Sequence, residues 1–365
     1  MQPLLELLRG RSPRQSLSDS EFSTLLDLAD QENILPFVVE RLRLAEPDCT
    51  PSQKQKLEQL HHKAQLSSFV WTTTLRSTVA AFHAADLAVI ALKGPCLAER
   101  LYGDAALRNC FDLDLLVRVS DLARAEQALS GLGFHPNSEA DDYHRPWSRG
   151  SLNLELHHNV ENPLAFAFGI DAVWARAVPS QFQGVPVWLL APPDELLYLC
   201  LHGVRHRFER LCLYLDLALA FRRFPLSAAA PSRSNRVFDN VLAVGWLLAS
   251  HLDPELPADP ALARIPPRDR KRLEQLAGGL WQELMVASPP TLDWAAQHRF
   301  YLQVESPGWS RFRRRLHHQR ILLTRLIDAD FAFARRFHLH RNWQVRLLRP
   351  IRLLIKTLRP SPKPL

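Results

Sequence analysis

The apolar rhythm of this chain breaks at Leu87, and the break limits what the chain can fold into. Upstream, apolar residues return every three or four positions, as on one face of a helix. Ser18-Asp19-Ser20-Glu21 has the spacing of a capping box, followed by Phe22, Leu25, Leu26 and Ala29. Ile34, Leu35, Val38, Val39 and Leu42 continue the pattern to Leu44. After the break at Pro47 and Pro51, a long segment from Ser52 to Ala85 repeats it with Leu57, Leu60, Ala64, Trp71, Leu75, Val79 and Phe82. Leu87 to Leu92 is then continuously apolar, as in a buried strand, and Lys93-Gly94 ends it. Pro95 suits the first turn of a helix, where its missing N–H is unpaired anyway. A helical region therefore hands over to a sheet near residue 87.

Beyond the break, Leu97, Leu101 and Tyr102 predict a short helix closing at Gly103. Phe111 to Val117 predicts a second strand, with Asp112, Asp114 and Leu116 on one face and Leu113, Leu115 and Val117 on the other. Ser120 is expected to cap a helix that closes at Gly133. Ser151 to Val160 predicts a third strand carrying Asn153, Glu155 and His157 on one face. Strand, helix, strand, helix, strand is the order of a small α/β unit with a mixed sheet. Ala165 to Val187 reads as irregular, with a short hairpin ending in Val185 to Leu189. Helices follow from Pro192, over Val237 to Leu252 and over Arg268 to Leu284, separated by a loop at Pro225 to Asn235 and a proline-rich connector at Pro254 to Pro267. The expected fold class is α+β: a helical region (1–86), a small mixed-sheet palm (87–190), a second helical region (191–310) and a basic helical tail (311–365).

Asp112, Asp114 and Glu155 face one way on two strands. Three convergent carboxylates suit one or two Mg²⁺ ions, which favour oxygen ligands and share their shell with substrate phosphates. The Lys93-Gly94-Pro95 turn offers backbone N–H groups and a positive helix end to a phosphate. Arg108, four residues before Asp112, is a candidate for a bidentate phosphate contact; the competing reading pairs it with Asp104. His157 shares the face of Glu155, and a lone histidine is more often a hydrogen-bonded bystander. His202 and His206 stand i, i+4 on one helical face, but no Glu completes an H-E-x-x-H site, so they are expected to line the cleft rather than to bind zinc. Cys96 and Cys110 flank the carboxylates as small buried residues.

The order LKG, LYGD, R-x-x-x-D-x-D-x-L-V and then a strand with E-x-H resembles the nucleotidyltransferase superfamily built on the DNA polymerase β-type palm. More narrowly, it is similar to the bacterial family of uncharacterised nucleotidyltransferases. That family also has helices before the palm and a downstream L-H-x-x-x-H segment with an Asp, as at Leu201, His202, His206 and Asp216. The resemblance spans roughly residues 20 to 225. It implies Mg²⁺-dependent transfer of a nucleoside monophosphate from an NTP to an unidentified hydroxyl acceptor, whether a small molecule, a sugar, a peptide or RNA. Asp112, Asp114 and Glu155 would then be metal ligands and catalytic carboxylates. Lys93, Gly94, Arg108, His157, His202 and His206 would line the nucleotide site. The superfamily's Gly-Ser pair in the phosphate turn is replaced here by Lys93-Gly94, so a serine hydroxyl is missing and Lys93 stands in as a point charge. The alternative reading is a catalytically inactive nucleotide- or partner-binding protein on the same scaffold.

Charge sharpens this. The 365-residue chain carries 45 Lys/Arg and 38 Asp/Glu, a net +7. From Arg311 onward there are 15 basic and 2 acidic residues, so the remainder, with 30 basic and 36 acidic, is acidic on balance. Triphosphate affinity must therefore come from the metal, Lys93, Arg108 and the helix end rather than from a broadly basic surface. Within the basic stretch 311–359, Val345 to Arg359 alternates Arg with Leu or Ile and suits an interfacial amphipathic helix, and the stretch equally suits a nucleic-acid contact. Five cysteines without C-x-x-C spacing exclude a zinc or disulfide framework and fit a reducing compartment. No secretory leader and no apolar run of about 18 residues is seen, so a cytoplasmic protein is expected, with peripheral membrane contact through the tail.

Overall fold

The computed structural model describes residues 1–11, 17–44, 49–137, 143–160, 169–224, 236–257, 260–286, 300–301, 303–304, 333–337, 339, 344–345, 347–348 and 351. Residues Met1–Ser306 form one unit and Pro307–Leu365 a second. In the second unit, the rings of Phe333 and Phe337 meet edge to face at 5.4 Å. Most of the proposed amphipathic segment (345–359), and the loop at 225–235, lie outside the described residues.

The first unit begins with helices α1 (Gln2–Leu8), α2 (Asp19–Gln31), α3 (Leu35–Leu44) and α4 (Pro51–Ala84). The capping box at Ser18 forms as its spacing predicts: Glu21 N–H donates to the Ser18 hydroxyl and Ser18 N–H to the Glu21 carboxylate. Thr50 and Gln53 cap α4 in the same reciprocal way, satisfying donors that a helix start otherwise leaves unpaired. Then come β1 (Ile90–Ala91), α5 (Gly94–Tyr102), a 3₁₀ turn (Ala105–Leu107), β2 (Leu113–Leu116), α6 (Leu122–Gly131), β3 (His135–Pro136), β4 (His144–Arg149) and β5 (Leu152–His157). They are followed by α7 (Ile170–Arg176), β6 (Val178–Phe182), β7 (Val185–Leu189), α8 (Pro192–Arg205), α9 (Leu211–Arg223), α10 (Arg236–Leu252), α11 (Pro260–Arg264) and α12 (Pro267–Val286).

The strands make one seven-stranded sheet in the order β3-β4-β5-β2-β1-β7-β6. It is mixed: β1 runs antiparallel to β2 and parallel to β7, and β2 runs parallel to β5. With the helices it makes an α+β fold. Alternation sends Leu113, Leu115 and Val117 of β2 and Leu154 and Leu156 of β5 into one core, with Leu75, Val79 and Phe82 of α4 and Leu129 of α6. Ile90, Leu92 and Leu116 point the other way, into a core built on α8, α9 and α10. Each buried leucine contributes about 2 kcal/mol. Together they hold β2 between two helical layers, so Asp112 and Asp114 must face α8 and α9.

Four local expectations need correction. The β1 ladder is shorter than Leu87–Leu92, although Leu92 N–H still donates to Asp114 O and Trp188 N–H to Val89 O. Ser120 does not cap α6; it sits in a 3₁₀ turn, Val119–Asp121, and the helix starts at Leu122 with no side-chain cap. Strand β4, His-Arg-Pro-Trp-Ser-Arg, escapes sequence reading because it has no apolar alternation; its pairing comes from β5. The stretch read as irregular contains α7, and the proline-rich connector contains α11.

Candidate active site

The site is assembled where β1 turns into α5. Lys93 leaves the strand and Gly94 takes φ +68°, a left-handed conformation that side chains with a Cβ rarely adopt. Pro95 follows at the helix start, and Cys96, Leu97, Ala98 and Leu101 anchor α5 inward. A Cβ on Gly94 would stand in ordinary contact with Leu113 Cδ2 at 3.5 Å and Asp112 O at 3.8 Å, so it is the backbone conformation that selects glycine. The turn is thereby packed directly against the start of β2.

Strand register supplies the carboxylates. Asp114 lies opposite Glu155 in the parallel β2–β5 pair, and Leu116 opposite His157. Asp114 is 1% exposed. Its Oδ1 lies 3.2 Å from His157 Nε2 and its Oδ2 3.1 Å from Lys93 Nζ. The Lys93 contact lacks the alignment of a hydrogen bond, so Oδ2 is a buried carboxylate oxygen with no aligned donor. His157 Nε2 also lies 3.3 Å from Glu155 Oε2, and His144 Nε2 lies 3.7 Å from Glu155 Oε1. The rings of His144 and His157 stack at 5.3 Å. One ligand atom each from Asp114, Glu155 and His157 fits within a 4.8 Å cluster. That donor set, two carboxylates and an imidazole, could hold a metal ion. Asp112 stands outside this trio.

Proximity of like charges sets the electrostatics. The charge of Asp114 and then burial push the Asp112 carboxyl up to about 6. Burial also opposes ionisation of Asp114, but Lys93 and His157 outweigh it and hold that carboxyl well below the usual range. Burial of His157 favours the neutral ring, yet its bonds to Asp114 and Glu155 prevail and raise its pKa. Glu155 is lowered, His157 outweighing burial.

Asp112 opens into a cleft of about 300 Å³. Lys93, Arg108, Asn109 and Phe111 line its palm side; His202, His206, Glu209, Arg210, Cys212, Leu213 and Asp216 line the helical side, with Asn33 at the end of α2. The rings of His202 and His206 meet at a tilt of 59°, with centroids 4.6 Å apart. Burial pushes both imidazoles down, His206 to about 4, so they meet a ligand as neutral hydrogen-bonding rings. Phe111, beside Asp112, is 58% exposed.

Arg108 is placed differently from the sequence reading. Its Nε and Nη2 grip Asp216, at 3.0 Å to Oδ1 and 2.9 Å to Oδ2, and Tyr102 Oη donates to the same carboxylate at 2.6 Å. Its third nitrogen, Nη1, makes a long 3.5 Å contact to Asn109 O, so the guanidinium ties the approach to β2 to α9 before it can meet a phosphate. Asp104, its rival partner, instead caps the 3₁₀ turn through Ala106 N–H. Asp216 had a readable signal: a lone carboxylate inside LCLYLDLALAF must find a buried partner. His144 had none, because its strand was not legible.

The sequence model of the family of uncharacterised nucleotidyltransferases matches residues 18–240. No curated protein sequence matches the chain. Among solved structures, ANT(2")-Ia in complex with adenylyl-2"-tobramycin aligns with 58% of this chain and 97% of its own, at 12% identity and a TM-score of 0.29. A tRNA-processing enzyme in an apo form aligns with 77% of this chain and 88% of its own, at 12% identity and a TM-score of 0.22. Likenesses this distant carry no argument about activity.

Proposed function

This chain belongs to the family of uncharacterised nucleotidyltransferases, and on that premise we propose that it moves a nucleoside monophosphate from an NTP to a hydroxyl acceptor with the help of Mg²⁺. The observation that carries the reading is the register pair Asp114–Glu155, with Asp112 two residues before Asp114 lining a cleft of about 300 Å³. Asp112, Asp114 and Glu155 would hold the ion, with His157 fixing the two carboxylates. When bound, Mg²⁺ would lower the pKa of the attacking hydroxyl and neutralise the departing pyrophosphate.

The chain itself does the rest. The first N–H groups of α5 and the Lys93 ammonium face the phosphates. Glu155, whose side chain is 28% exposed, takes the acceptor's proton and passes it towards solvent. His202 and His206, neutral and adjacent on the opposite wall, orient the nucleotide by hydrogen bonds. Arg108 keeps the β2 approach in place through Asp216. The acceptor is an unidentified hydroxyl compound, for which a small molecule, a sugar, a peptide, a protein and RNA are the candidates. No helix among the described residues is long and apolar enough to cross a membrane. The tail (311–359) would bring the protein to an anionic membrane or to nucleic acid within the cytoplasm.

The test is incubation with each labelled NTP and Mg²⁺, following label transfer and pyrophosphate release. Asp112→Asn and Asp114→Asn should each lower transfer by about a hundredfold or more. Unchanged transfer in both variants sinks the assignment. One observation favours a second reading, nucleotide binding without turnover: Lys93 already neutralises Asp114. Tight NTP binding that ignores Mg²⁺, with no pyrophosphate released, would select it.

A further inference from the structure

The Lys93 ammonium sits against one carboxylate oxygen of Asp114, a member of the candidate metal cluster. Its Nζ lies 3.1 Å from Asp114 Oδ2, the oxygen with no aligned donor. The other oxygen is taken up by His157. Lys93 is 7% exposed and Asp114 1%, so water does little to screen them from each other. Lys93 also lines the cleft with Arg108, Asp112 and His202, and it is the residue that precedes the α5 N-terminus.

Resting on the reading of this cleft as a metal and nucleotide site, we infer that Lys93 is a built-in counter-cation, holding Asp114 in the metal-free protein and exchanging it for the incoming triphosphate when a divalent ion arrives. An ammonium and a divalent ion repel each other too strongly to share one carboxylate oxygen at contact distance. A displaced buried ammonium needs another anion, since leaving it unpaired is costly. The triphosphate supplies that anion. A divalent ion alone must evict an ammonium that has nowhere to go. A nucleotide alone meets an ammonium still held by Asp114. Each ligand therefore prepares the site for the other, and the coupling is reciprocal.

The experiment measures binding on the full-length protein, without turnover. Mn²⁺ affinity is read by electron paramagnetic resonance in the absence of nucleotide, and ATP affinity in EDTA. Lys93→Met should bind Mn²⁺ about tenfold tighter than wild type or better, and Lys93→Arg, which keeps the charge, should stay weak. Asp114→Asn frees the ammonium and should bind ATP in EDTA severalfold tighter than wild type. That gain should vanish in Lys93→Met/Asp114→Asn; a gain that persists reflects only the removal of a negative charge and overturns the exchange. Unchanged Mn²⁺ affinity in Lys93→Met, while Asp114→Asn loses Mn²⁺, also overturns it and leaves the metal site standing. Undiminished Mn²⁺ affinity in Asp114→Asn instead removes the metal reading on which the exchange rests. Lys93→Gln serves if Lys93→Met does not fold, as judged by its melting curve.

Discussion

Asp216→Ala isolates the contact that joins the sheet to the helices behind it. The Asp216 side chain is 5% exposed and that of Arg108 17%. Asp216 accepts hydrogen bonds from Tyr102 Oη at 2.6 Å and from Arg108 Nε and Nη2. Truncation strands a mostly buried guanidinium and removes the acceptor of a buried phenol. Breaking a buried pair from one side costs about 3–5 kcal/mol. The residual exposure of Arg108 lets water recover part of this, while the orphaned Tyr102 hydroxyl adds about 1 kcal/mol. The sum is about 3–4 kcal/mol, or a fall of about 6–8 °C in Tm for a unit of this size. Asp216→Asn, which keeps one acceptor oxygen, should lose about half as much. Calorimetry and urea titration read the change. Removing the stranded charge as well, in Arg108→Met/Asp216→Ala, should restore part of the loss. A melting temperature for Asp216→Ala within about 2 °C of wild type would refute the reasoning, as would a double variant less stable than the single one. Arg108→Met alone also separates the two roles of that side chain: a phosphate clamp raises KM for the NTP at unchanged Tm, whereas a tie to α9 lowers Tm first.

Asp112, held at about 6 by Asp114 and burial, binds its proton more tightly in the folded than in the unfolded chain. Its contribution to stability is therefore full below pH ~4 and lost as the pH rises through about 6; in EDTA, Asp112→Asn should melt above wild type at pH 7.5, by about 1–3 kcal/mol, and the advantage should shrink towards zero by pH ~4. Gly94→Ala should cost about 1–2 kcal/mol in urea denaturation, because Ala resists φ +68° while its Cβ finds room beside Leu113. Gly245→Ala places a Cβ 2.3 Å from Cys200 Sγ, where α10 crosses α8. It should cost about 2 kcal/mol or more, and Cys200→Ala in the same chain should recover part of that loss in a thermal melt; no recovery would locate the strain elsewhere.

Local pattern decided a good part of this protein. The capping box at Ser18, the long α4, the break at Leu87, the Lys93-Gly94-Pro95 turn and the two-residue alternation of β2 and β5 are all written in neighbouring residues, because helix and strand periods and the demand for a positive φ are local properties. That Asp112 and Asp114 share a face followed from that alternation alone, whereas setting Glu155 beside Asp114 took the β2–β5 register. What lies between distant segments did not. Strand β4 pairs without an apolar pattern of its own, since its ladder is completed by β5 rather than by its side chains. That Lys93 rests on Asp114 was settled by the pairing of β1 with β2, and that Arg108 turns to Asp216, which Tyr102 also meets, instead of waiting for a phosphate was settled only when α9 packed over the sheet. Buried charges take whichever counter-charge the fold brings within about 3–4 Å, because at that range an unscreened pair outweighs every sequence-local preference. Spacing along the chain carries no information about which partner that will be.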